Sequence, residues 1–448
     1  MSGPDRSRLG KALSFVAASA VVHGCGARSD LPIDALASTN ASGAGGGSSS
    51  TSGTSTATSG GTTSVTTSVG SGGGTFCPGL VVGGEDALLA GNGPTEIALT
   101  EGSADGVTSV LAYGAGNELR LIDFAPWNQW PEPLPAPQLP LSLQGGESFA
   151  IFGAPGGLLG AIFREASPGT KLVVTPSVDP FAPGTAERFG LPIGERALAA
   201  RVREDADGRR VLAVFEEKAT APDGTTYYET RHALATPPLG FTIFDAEACS
   251  TVPQWADALP IEQGFRMFTI GAATSDGCGP SGFATAIRAI MLDMTGAKLL
   301  LSYVDRMFPI DQVAIAPTDE GALIVHTAIM NSLTPIWVLD WHEATGTFGE
   351  PVVLNAPNFR GWGRIAAARV GPVSAVAYGE TPDGSGQARV GVDIVSQDKA
   401  TAHLDIPAVG LIDDIALLGS PFGTALMVAY STGAGEVRVM RIDCVGAL

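Results

Sequence analysis

The residues best suited to chemistry in this chain are scarce enough to take one by one: five histidines and five cysteines in 448 residues. His342-Glu343 begins as a zinc-protease motif does. No second histidine follows four positions after the first, so the two-ligand helix face is missing. Asp340 and Trp341 precede His342 at what reads as a strand end, which places a titratable ring beside an aromatic surface, although a plain surface turn is the favoured account. His326 lies inside the apolar run "ALIVHTAIM", where a hydrogen-bonded buried imidazole is favoured over a channel-lining one. The acidic stretch "EDADGRR" offers Asp205, Asp207 and Glu204 as oxygen ligands for calcium. It lacks the third aspartate and the terminal glutamate of an EF-hand loop, so a solvated hairpin turn is preferred. Gly361-Trp362-Gly363-Arg364-Ile365-Ala366 fits a dinucleotide fingerprint by letter, without the strand–helix context that would give it meaning. No G-x-S-x-G elbow and no phosphate-binding loop occurs. The chemistry left is recognition. Trp127 and Trp130, in the proline-rich "FAPWNQWPEPLPAPQLP", could stack on sugar rings or anchor a protein, or simply cover a neighbouring sheet.

The cysteines argue differently. Cys77 opens the apolar-rich part of the chain and Cys444 nearly ends it, while Cys249 and Cys278 share one central stretch. An even number in an exported chain suggests disulfides, and this spacing selects Cys77–Cys444 and Cys249–Cys278 from the three connectivities. Metal binding is the alternative. No C-x-x-C or Cys/His spacing supports it, so neither a metal nor a cofactor is expected.

Cys25 stands apart. Arg6, Arg8 and Lys11 precede the apolar run Ala12 to Val22, which is too short to span a bilayer but suits a secretory signal. Val22-His23-Gly24-Cys25 resembles the lipobox of bacterial lipoproteins, with His23 departing from the usual small or aliphatic residue. The resemblance implies cleavage before Cys25, diacylglycerol on its thiol and an acylated amino terminus. Gly26 after it, in place of aspartate, implies the outer membrane; an ordinary secreted or periplasmic protein is the other reading. The run from Ala37 to Gly74 is mostly Ser, Thr and Gly with no aromatic residue, and reads as a flexible tether reaching roughly 35 Å. A net charge of −19 argues against nucleic acid and anionic lipid as partners.

Elements that could position these residues emerge from the strand pattern. Apolar runs of strand length alternate with Gly, Pro and Asp-Gly turns, and long amphipathic helices are hard to find. Aligned strand-plus-hairpin units start at Val110, Leu158, Val211, Phe283, Ala322, Val373 and Ala425. Most offsets are near 50; the exception, 72, is read as an insertion around Cys249 and Cys278. Such a period predicts an all-β fold, a β-propeller of about seven blades of roughly 50 residues. Strands such as "VLAY" are expected near its channel, and tandem β-sandwiches are the competing architecture. "MLDMTGAKLL" and "VLDWHEATGTF" resemble the blade turn of quinoprotein-type propellers. In such a turn Asp293 or Asp340 binds backbone amides and Gly296 or Gly346 takes the strained position. The resemblance supports topology and gives no warrant for a quinone. Lipid-anchored propellers also include the outer-membrane protein-assembly lipoprotein.

The expected organisation is a lipoprotein signal peptide over 1–24, a disordered tether over 25–75 and a propeller over 76–448. The expected function is binding: an envelope scaffold presenting the propeller to an envelope protein or polysaccharide, attached to the membrane by lipid alone. The alternatives are a propeller-type hydrolase or lyase acting on an envelope or extracellular polymer, and a structural surface lipoprotein.

Overall fold

The computed structural model describes residues 65–66 and, between 77 and 446, the strands and tighter turns. Residues 1–64 and the longer connections, including 125–132, 135–148, 272–285 and 355–363, lie outside the described residues. The described residues fall within one compact unit, 62–448.

That unit is a β-propeller of seven antiparallel sheets, each of four or five strands. Numbered in chain order, blades 1 to 7 begin with the strands Ile97–Glu101, Phe149–Ala154, Arg196–Asp205, Ala256–Ile261, Ile310–Pro317, Ile365–Val370 and Ile412–Gly419. Each first strand contacts that of the next blade, and Ile412–Gly419 contacts Ile97–Glu101, so the ring closes around these seven strands. They are rich in alanine (Ala197, Ala199, Ala256, Ala258, Ala314, Ala316, Ala416), as seven strands crowding one axis require.

Apolar clusters fill the seams between neighbouring blades. Phe268 and Ile287 of blade 4 pack on Ile324 and Trp341 of blade 5, and Ala416 and Met427 of blade 7 pack on Ile97 and Leu111 of blade 1. Second strands carry both seams. Gly264–Gly271 and Ala425–Thr432 are buried at every position, which is why they read as continuous apolar runs.

The strand order corrects the assignment of "VLAY". The strand Ser109–Ala115 is second in its blade and the channel is lined by the strand before it. It also removes the apparent insertion. Second strands begin at 109, 158, 208, 264, 321, 373 and 425, spaced 49 to 57 residues apart. The unit starting at Phe283 falls on the third strand of blade 4, Ala286–Asp293, which is almost as apolar as the second.

Closure uses both chain ends in one blade. Gly79–Val82 and Ala87–Ala90 pair with the last strand, Glu436–Val445, and so form the outer edge of blade 7. The Cys77–Cys444 disulfide pins this edge, with the two Cα atoms 4.8 Å apart across 367 positions of sequence. Cys249 is also disulfide-bonded and buried, while Cys278 lies outside the described residues. Val65–Thr66 pairs with Leu404 and His403 on the outer strand of blade 6, Lys399–Pro407. Among the described residues no helix is long and apolar enough to cross a membrane.

Candidate functional site

The strand directions define two ends of the propeller: an entry end, where first strands begin, and a hairpin end, where first strands turn into second and third into fourth.

At the entry end, residues at or beside the start of each first strand converge on the channel: Glu96, Phe149, Arg196, Trp255, Gln312, Arg364 and Asp414, one from each blade. Arg364 lies at the centre of the group. Its Nη2 is 3.1 Å from Glu96 Oε1, its Nε is 3.5 Å from Asp414 Oδ1, and its guanidinium sits 4.3 Å above the Trp255 ring. Arg196 lies 4.8 Å from the same indole. Burial lowers the Arg196 guanidinium from its usual value, against the opposing pull of Glu216 and Glu96. Gln312 lies within a β-bulge in the first strand of blade 5, and Asp414 directly follows one in the first strand of blade 7. Gln312 Oε1 accepts Ile365 N–H at 2.9 Å, and Asp414 Oδ2 accepts Ile97 N–H at 2.9 Å, so each clasps the first residue of the next blade's inner strand. Burial pushes Asp414 up to about 7, with Arg364 opposing. The open volume here is about 240 Å³. Its carboxylates are held by backbone amides and arginines, an arrangement that braces the ring.

The hairpin end opens differently. A groove of about 1160 Å³ runs between blades 4 and 5, floored by Phe268, Met291, Leu300 and Trp341. The tight hairpins at its sides depend on Gly264 (φ 152°) and Gly321 (φ 153°). A Cβ there would sit 2.1 Å from Leu292 O and Trp341 O respectively. Arg266 is only 2% exposed. Its guanidinium lies 5.0 Å from the Trp341 ring centre and grips Glu343 with two nitrogens, Nε–Oε2 being 3.2 Å. Trp341 Nε1 donates to the same carboxylate at 2.8 Å. Burial alone would raise Glu343, but hydrogen bonds from Arg266 and Trp341 outweigh it and hold the carboxyl below its ordinary value. Nη1 of Arg266 is buried and makes no hydrogen bond. On the rim, Glu320 is exposed and its Oε2 is 3.6 Å from His342 Nδ1.

The structure places the sequence candidates as follows. Trp341 and His342 line the groove, on the third strand of blade 5, Ile336–His342, well outside the channel-facing strands. Asp340, beside them, lines a smaller depression of about 290 Å³ between blades 5 and 6. Trp341 is 1% exposed and packs edge-on against Phe268 and Phe348. His326 is fully buried on the second strand of blade 5, away from the channel. Its Nε2 accepts from Arg306 Nε at 3.2 Å, and burial holds it down to about 3. Asp205 ends the first strand of blade 3, paired with Gly208. Asp207, Trp127, Trp130 and Cys25 lie outside the described residues. Among the described residues no group of three or more His, Cys, Asp or Glu is arranged to hold a metal ion. In the "MLDMTGAKLL" turn, Asp293 Oδ1 accepts Thr295 N–H at 2.7 Å and Ala297 N–H at 3.0 Å, and Gly296 has φ 84°.

Sequence reading passed over the channel ring. Its members share no motif, only a place at or beside the start of a first strand, and first strands mix alanine with polar residues. In the sequence Arg364 stands only inside a chance glycine pattern. The pairing of Arg266 with Glu343, 77 positions away, is visible only in the fold.

No protein-family model and no curated protein sequence matches the chain. Solved structures do resemble it. BBS1N in complex with ARL6DN has 12% identity, a TM-score of 0.46, and coverage of 82% of this chain and 98% of that one. The six-bladed fucose-binding lectin of Aleuria aurantia has 10% identity, a TM-score of 0.45, and coverage of 70% and 96%. The Penicillium chrysogenum α-L-arabinanase complexed with arabinobiose has 11% identity, a TM-score of 0.44, and coverage of 66% and 93%.

Proposed function

We propose that this protein is a lipid-anchored cell-envelope scaffold that holds a protein partner at the hairpin end of its propeller, in the groove between blades 4 and 5. The observation that carries this reading is the groove itself: an apolar floor of Phe268, Met291 and Leu300 with a buried arginine at its base. Apolar floors with polar rims are what protein partners bury. The carboxylates of the channel are spent on holding blades together, which favours recognition over turnover there. The anchor is supported by Val22-His23-Gly24-Cys25 after a basic, apolar start, and the Ser/Thr/Gly run after it would carry the propeller clear of the membrane.

Chemical cross-linking in intact cells, followed by mass spectrometry, tests the reading. One recurring envelope protein is expected, with cross-links near the groove, and Thr345→Arg, which adds bulk and charge at the rim, should reduce its yield at least tenfold. Recovery of no protein, together with retention on an envelope-polysaccharide column, would replace the protein partner with a polysaccharide. Failure of both would sink the binding role.

A further inference from the structure

The outer edges of the blades are not equally protected. Blades 1, 2, 3 and 5 end in short or broken strands: Pro133–Leu134, Glu187–Leu191, Phe241–Ile243 with Ala248–Ser250, and Thr347–Phe348 with Val352–Val353. Blade 7 is edged by the two short N-terminal strands, and the nine-residue outer strand of blade 6 is itself paired with Val65–Thr66. Blade 4 differs. Its outer strand, Lys298–Asp305, has eight residues and, among the described residues, pairs only inward, with Ala286–Asp293. Leu299, Leu300 and Tyr303 on it are 55%, 44% and 52% exposed, three of the eight exposed large apolar side chains among the described residues.

Long, uncharged, exposed edges are normally blunted by lysine, proline or a covering segment, because their unpaired N–H and C=O groups template another strand. Here the stretch Leu299 to Val304, "LLLSYV", has no charge, proline or glycine. Lys298, the one lysine available, is drawn back to the buried Glu247, Nζ–Oε2 3.0 Å. Alternate residues of an edge strand direct both backbone groups outward, and that row of donors and acceptors matches an extended peptide rather than a sugar. The same molecule already uses the device once, where Val65–Thr66 adds a fifth strand to blade 6.

We infer that the outer edge of blade 4 is a β-augmentation site, taking an extended, apolar-alternating peptide segment of a partner protein as the fifth strand of that blade. Leu300 belongs both to this strand and to the groove floor, so a partner strand laid on the edge would run past the groove mouth. The inference rests on the reading of the propeller as a binding module, and narrows the partner to one with a free extended segment.

The test is selection of a phage-displayed library of ten-residue peptides on the whole protein, followed by amide hydrogen exchange with the selected peptides. Expected are peptides alternating β-branched or aromatic with polar residues, slowing exchange at least tenfold within 298–305. A proline at the peptide centre should abolish binding, and Leu299→Lys with Tyr303→Lys should weaken it at least tenfold. Both side chains are exposed, so the thermal midpoint should hold, and a fall would move the test to Tyr303→Lys alone. Peptides that instead protect 317–321 and 342–346 would overturn the edge assignment while leaving the groove reading intact. Selection of no peptide would overturn it as well. Protection of 298–305 that rises with protein concentration and no peptide would assign the edge to a second copy of this chain, and overturn the peptide proposal.

Discussion

Asp414 accepts the backbone N–H of Ile97 at 2.9 Å across the seam where blade 7 meets blade 1, and Gln312 makes the same bond to Ile365 at 2.9 Å between blades 5 and 6. One seam is clasped by a neutral amide and the other by a titratable acid. Burial raises Asp414 from 3.8 to about 7, so the folded state holds a proton that the unfolded chain releases. Its contribution to stability is therefore greatest below pH 4 and falls as pH rises through 7. Urea midpoints at pH 5, 6 and 8 should decline in the parent protein and flatten in Asp414→Asn. Asp414→Ala, which strands the Ile97 amide, should cost about 1–3 kcal/mol. An unchanged pH slope in Asp414→Asn would remove Asp414 from this role.

The seal of blade 7 depends on Cys77–Cys444. Replacing both cysteines with serine should cost about 2–5 kcal/mol. Amide exchange should accelerate first in Gly79–Val82 and Glu436–Val445, the strands that the bond staples together. Uniform acceleration across all blades would mean that ring closure does not reside at this edge.

His403 bridges two aspartates on blade 6, with Nδ1 2.9 Å from Asp393 Oδ1 and Nε2 3.0 Å from Asp405 Oδ1. The bond to Asp393 raises it from 6.5 to about 9, burial opposing. Nearby Glu380, raised to about 7 chiefly by burial, faces the same cluster, as does Arg389. The stabilisation from charged His403 is complete below pH 6.5 and lost as pH rises through 9. Denaturation at pH 6.5, 8 and 9.5 should show that loss in the parent and not in His403→Gln. Equal slopes in the two proteins would contradict it.

Arg266 and Glu343 form one unit with Trp341. Glu343→Ala leaves the guanidinium buried beside an indole without its carboxylate, and should cost about 3 kcal/mol. Arg266→Met frees Glu343 to solvent and should cost less. The double variant should recover part of the loss, and a coupling energy near zero in this cycle would show that the pair does not act together.

How far the sequence reached follows from where side chains lie. Second strands such as Ala425–Thr432 are apolar at nearly every position, because blades press on both faces, and they carry six of the seven units of the repeat, the third strand of blade 4 carrying the other. First strands line a channel, mix alanine with polar residues and left no period, so the axis was assigned one strand too late. Cys77–Cys444 was readable because two cysteines bracketed the apolar part of the chain. The partnership of Arg266 with Glu343, and of Asp414 with Ile97, joins residues 77 and 317 positions apart in chain order. No local pattern encodes such pairs.

The central claim is that the partner sits at the hairpin end between blades 4 and 5. A photo-reactive amino acid at His342, on the groove rim, should capture one envelope protein in living cells. The same group at Leu411, 64% exposed next to the first strand of blade 7 and at the entry end, should capture little. Equal capture at both positions, or capture only at Leu411, would contradict the account.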